Sequence, residues 1–122
     1  MTQRDIELAL DVVREKLPEL RIPRRLCVQR LPAHGRVLGQ YRWHSDTLRL
    51  SPRYLNRLSD DDALDLLDTL LHELLHKSSP IWKQIRDSFR PHPEIWRKAE
   101  ALTAQLGPAY LARRRQEASV MA

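Results

Sequence analysis

Leu64-Asp65-Leu66-Leu67-Asp68-Thr69-Leu70-Leu71-His72-Glu73-Leu74-Leu75-His76 reads as an α-helix. Leu64, Leu67, Leu71, Leu74 and Leu75 recur at helical spacing and supply its apolar surface. The run closes on the pattern HExxH. Residues four apart on an α-helix lie on one face, a turn apart along the axis. His72 and His76 are therefore predicted to project as a pair of imidazoles, with Glu73 beside them. Two neutral histidines, a carboxylate able to reach an activated water and an open coordination position are what a zinc hydrolase needs. A pattern this short can arise by chance, leaving His72 and His76 as ordinary solvent-facing helix residues. The helical setting, with leucines on the other faces, favours the metal reading.

Moving outward, Ser59 is a candidate N-cap for this helix, and Asp60, Asp61 and Asp62 suit the positive end of its dipole. Ser78-Ser79-Pro80 should end it near Lys77. Upstream, RRLCVQRL (24–31), RVLGQYRWH (36–44) and DTLRLSP (46–52) look like three short strands separated by turn signals. Ser51-Pro52 opens a short helical turn carrying Tyr54. At the N-terminus, Ile6, Leu10, Val13 and Leu17 predict an amphipathic helix over 3–17, ended by Pro18. Downstream, 80–89 can form a short helix. A further helix starts at Pro93, buries Ile95, Trp96, Ala99, Leu102 and Leu106, and stops at Gly107. Pro108 then starts a last short helix that frays through Arg113–Arg115. The expected architecture is one α+β domain over 1–112, a small antiparallel sheet against three to four helices, followed by a basic, disordered tail over 113–122.

A catalytic zinc takes three protein ligands and leaves a fourth position open. His92, Asp87, Glu94 and Glu100 are the downstream candidates for the third ligand, and His34 and His44 the upstream ones. His92 is preferred, because it completes a three-histidine site at a helix start beside a rigid proline. A glutamate would give a two-histidine, one-carboxylate site. Asp65 and Asp68 are candidates to orient a ligand's other ring nitrogen. Tyr41, Arg53, Tyr54 and Tyr110 are candidates to stabilise an oxyanion. The hairpin around Gln40–Trp43 is the candidate edge for an extended substrate, and Trp43 could equally be core.

The chain has 122 residues, 42% hydrophobic and 30% charged, which suits one small domain with one core. No apolar run approaches the ~20 residues that span a bilayer, so no membrane association is expected. The charged start, MTQRDIELALDVVREKL, does not read as a secretory signal, and a cytoplasmic location is the expectation. A single cysteine, Cys27, excludes a disulfide framework and a cysteine-based zinc finger within these residues. Cys27 itself reads as a small packing residue in a strand. The net charge is +5, and basic residues gather after the motif and at Arg113–Arg115. That excess is either a solubilising surface or a field for acidic partners such as DNA. Two functions compete: a zinc endopeptidase acting on a protein or peptide, and a basic nucleic-acid-binding or adaptor module on an inactive peptidase fold. Retention of Glu73 favours the first, since a purely structural site needs no base.

HELLH followed by His92-Pro93-Glu94-Ile95-Trp96 resembles the SprT-like zinc metallopeptidases, including the Spartan proteases, over approximately residues 24–106. The hairpin segment from Gly39-Gln40-Tyr41 to Ser51-Pro52 is similar as well. The small metallopeptidases typified by YgjP share the motif order. The resemblance implies a minimal zincin-like domain with Zn2+ held by His72, His76 and His92. It also implies Glu73 as catalytic base, Trp96 packed under the third ligand, and substrates that include nucleic-acid-associated proteins. The zinc ribbon of many members has no counterpart here.

Overall fold

The computed structural model describes residues 3–23, 25–28, 39–42, 45–52, 54, 59–77 and 93–121. Helix α1 spans Gln3–Lys16, with Asp5 in its first turn and Arg14 and Lys16 in its last, each favourable against the dipole. Its predicted stripe is buried: Ile6 and Val13 are fully enclosed, Leu10 and Leu17 nearly so. The helix ends before Pro18, as the missing N–H requires.

Three strands follow, β1 (Arg25–Val28), β2 (Gly39–Arg42) and β3 (Thr47–Leu50), in the spatial order β1-β3-β2. The predicted strand positions hold, but the sheet is not antiparallel. Only β2 and β3 pair antiparallel, with Gly39 opposite Leu50 and Tyr41 opposite Leu48. β1 runs parallel to β3, with Leu26 opposite Leu48. Alternation of apolar residues shows which face of a strand is buried but not which way its neighbour runs. The short link between β2 and β3, with Asp46 at φ 50°, forces a hairpin; asparagine and aspartate tolerate that left-handed conformation better than most residues. The longer chain between β1 and β3 leaves their relative direction free. Leu48 and Leu50 are fully buried. Cys27 is a half-buried free thiol in β1.

Helix α2 covers Asp60–Lys77 and carries the HExxH residues. It opens on a capping box. Ser59 Oγ accepts from the Asp62 backbone N–H at 3.1 Å, and Asp62 Oδ2 accepts from the Ser59 hydroxyl at 2.6 Å. Leu66, Leu67, Leu70, Leu71 and Leu74 are fully buried, each worth about 1.5–3 kcal/mol relative to exposure. α2 is the central element, packed on α3, on β2 and on α1.

Helix α3 runs without a break from Pro93 to Met121. Here the sequence expectation of a stop at Gly107, a new helix at Pro108 and a disordered tail is corrected. Gly107 lies inside the helix, facing the end of the Leu64 side chain of α2, whose Cδ2 would be 2.7 Å from a Cβ there. Proline inside a helix costs about 3 kcal/mol. Burial of Leu106 and Tyr110 on either side offsets that cost, and ion pairs hold the basic end. Arg113 pairs with Glu15, Arg114 with Asp5 and Asp60, Arg115 with Asp60, and Arg4 with Glu117. Three helices are present among the described residues. None of these helices is long and apolar enough to cross a membrane. The expected helix over 80–89 lies outside the described residues.

Candidate active site

α2 presents two chemistries to its surroundings. One side is the leucine stripe. On another side Asp61, Asp65, Asp68 and His72 follow one another at spacings of four, three and four, which aligns them along the axis. α3 faces this polar stripe, and between the helices lies a cleft of about 1010 Å³. His72, Glu73, Trp96 and Glu100 line it, and so does Gly39 of the edge strand β2.

The structure thus brings two of the predicted site residues, His72 and Glu73, to one cleft wall. His76 falls in the same helix, one turn further on, but its side chain lies outside what is described. His92, the preferred third ligand, lies outside the described residues, as do Asp87, His34, His44, Arg53 and Trp43. The side chains of Tyr41 and Glu94 are outside the description as well. Of the alternative ligands, Glu100 is described and faces the cleft. Among the described residues no group of three His, Cys, Asp or Glu side chains converges closely enough to hold a metal ion.

Trp96 departs from expectation. The sequence puts it in the buried stripe of α3, yet it is 66% exposed. Ile95 and Ala99 define the buried line, and the next residue along a helix is turned about 100° away from it. That rotation carries Trp96 to the cleft, where its ring meets His72 edge-on, with centroids 5.9 Å apart and planes at 74°. A weakly polar edge contact of this kind restrains the imidazole without consuming a ring nitrogen.

Asp68 is tied to the opposite wall of the cleft. Its Oδ1 accepts a hydrogen bond from Thr103 Oγ1 of α3 at 3.2 Å. Burial pushes its carboxyl above the ordinary range, the Thr103 bond opposes this, and the charges of Asp65 and Glu100 raise it further. Asp65 accepts from the Tyr54 hydroxyl at 3.1 Å, and Tyr54 also shares a 2.6 Å hydrogen bond with Thr69. Tyr54 is fully buried, so it braces the cleft wall from behind. Tyr110, another candidate oxyanion donor, is buried on the other side of α3, and its hydroxyl donates to the Asp5 carbonyl at 2.8 Å. Burial pushes its phenol far up, which suits a structural hydroxyl.

Gly39 is a site feature that residue types alone did not reveal. A Cβ at this position would lie 2.5 Å from Thr69 Cγ2 and 3.4 Å from Glu73 Cγ. Only glycine lets β2 come this close to the motif helix. The acidic stripe on α2 was not singled out from the sequence either, although the four-three-four spacing of Asp61, Asp65, Asp68 and His72 is the signal that could have found it. The comparisons with known proteins add no name: no protein-family model, curated protein or solved structure matches the chain.

Proposed function

We propose that the chain is a zinc-dependent endopeptidase of the SprT-like kind. The observation that carries this is the meeting of His72, Glu73 and the edge strand β2 in one cleft. His72 and Glu73 face the space a substrate would enter. β2, the outer strand of the sheet among the described residues, borders that same space, and a sheet edge suits an extended peptide.

The donor set fits zinc: His72 is half-buried at the cleft, where a neutral imidazole is a good ligand. His76 and His92 would complete the set. A bound zinc ion would supply Lewis acidity and a lowered pKa for water. Glu73 takes the proton of the attacking water and delivers it to the departing amine, so the carboxylate ends the cycle as it began. Trp96 keeps the His72 ring in one orientation. Thr69, Tyr54 and Asp65 stiffen the wall from which His72 and Glu73 project. The arginines at 113–115 pair with Glu15, Asp5 and Asp60; polypeptide is the substrate class we assign, because β2 borders the cleft beside His72 and Glu73.

The test is metal content by elemental mass spectrometry on natively purified protein, with casein cleavage measured before and after chelation. About one zinc per chain, and cleavage that chelation stops and zinc restores, is the expected result. Protein that takes up no zinc after incubation with it rules the proposal out.

A further inference from the structure

The described lining of the cleft carries a charge opposite to the net charge of the protein. The chain carries a net +5, yet Asp61, Asp65, Asp68, Glu73 and Glu100 all line the cleft, and no lysine or arginine is among its described lining residues. These carboxylates come from both walls, and Asp68 feels the charge of Asp65 on its own helix and Glu100 across the cleft. The remaining surface is largely apolar, with Leu64, Leu111 and the exposed indole of Trp96.

From Asp61 to His72 the groove follows α2 for about 16 Å, the length of about five extended residues. It is continuous with the catalytic wall at one end. A low-dielectric cleft lined by one sign of charge concentrates the opposite sign. Lysine and arginine have long aliphatic stems that cover apolar surface while the charged head stays near carboxylates. Indole faces also attract cations.

We infer that this groove selects its substrate: it takes an extended polypeptide segment bearing lysine or arginine within about five residues on one side of the scissile bond. This inference rests on the endopeptidase reading, because it assigns the groove to the flank of the bond being cut. The aliphatic stems lie on Leu64, Leu111 and Trp96, and the cationic heads face Asp61, Asp65, Asp68 and Glu100. An acidic segment is repelled by the same field.

The experiment uses the full chain with zinc, as the Glu73→Gln variant, to measure binding without turnover. Fluorescent peptides of one length carry lysine, glutamine or glutamate at alternate positions, and anisotropy gives the affinities. The lysine peptide should bind about ten-fold tighter than the glutamine peptide at about 50 mM salt, with the advantage shrinking at about 300 mM. The glutamate peptide should bind weakest. Asp61→Asn removes one exposed charge, keeps a hydrogen-bond acceptor and lies three turns from His72. It should cut the lysine advantage about two-fold while zinc content stays as in the parent. Equal affinities for the three peptides, no binding of any, or an advantage untouched by Asp61→Asn overturns the inference. Wild-type cleavage is read separately. Charge-selective binding without chelator-sensitive cleavage removes the endopeptidase reading and leaves a cation-selective groove, whereas cleavage without charge preference removes only the groove's role.

Discussion

Asp68 holds its place against opposing effects, and it shows how this cleft is biased. Its folded-state pKa lies above the ordinary one, chiefly through burial. The folded chain therefore keeps a proton in a window where the unfolded chain has lost it. Stability falls as pH rises through that window, and the cost of the ionised group is fully present above the raised value. Asp68→Asn keeps an acceptor for Thr103 and removes the charge. Its melting temperature is expected to exceed that of the wild type near neutral pH, with the gap closing as pH falls below the usual aspartate range. Thermal melts over a pH series check this; a variant that melts lower near neutrality would mean the carboxylate is a net stabiliser. At the neighbouring positions the expectations separate by role. Glu73→Gln should retain zinc and lose casein hydrolysis by at least about 100-fold, the usual scale of a general base. His92→Ala should instead lose zinc on dialysis. Hydrolysis surviving in Glu73→Gln would move the base elsewhere, and undiminished zinc in His92→Ala would move the third ligand.

At the scale of elements, the informative contact is β2 against α2. Thr69 is β-branched and stiff in a helix, so it cannot yield easily to a methyl group at position 39. Gly39→Ala is expected to destabilise the fold by about 1–3 kcal/mol, the usual cost of overpacking, and to push the strand away from Glu73. Urea denaturation measures the first effect, and loss of casein cleavage beyond the change in folded fraction measures the second. An unchanged denaturation midpoint would show that the strand does not press on the helix. Not every element was equally readable. The Ser59–Asp62 cap was legible, because it depends on residues adjacent in the chain. The passage of α3 through Gly107-Pro108 was not. Local propensity argues for a break there, and only packing on α2 and α1 outweighs it.

For the molecule as a whole, the basic end of α3 is a clasp. Arg114 is the buried member, with a side chain only 14% exposed. It reaches Asp5 of α1 and Asp60 of α2 and lies 5.9 Å from the centre of the Tyr110 ring. Arg113 pairs with Glu15 at the surface, where the bond holds the Glu15 carboxyl below its ordinary range. Arg114→Ala should cost about 1–3 kcal/mol, as expected for charge-assisted hydrogen bonds shielded from water. Arg113→Ala should cost distinctly less, because solvent and salt screen an exposed pair. Denaturant titrations of both variants test the order, and a larger loss for Arg113→Ala would contradict it.

The sequence by itself determined the motif helix, its cap, the buried stripe of α1 and the positions of the strands, since each follows from periodicity or from neighbours in the chain. It also carried the spacing that lines up Asp61, Asp65, Asp68 and His72. Tertiary structure alone decided that β1 runs parallel to β3, that Trp96 turns outward onto His72, and that α3 continues past Pro108. Those outcomes depend on what stands opposite each residue, between segments far apart in the chain, and no local pattern encodes that. The cleft belongs to the same class: its acidic stripe was written on one helix, but it became a groove only when α3 closed over it.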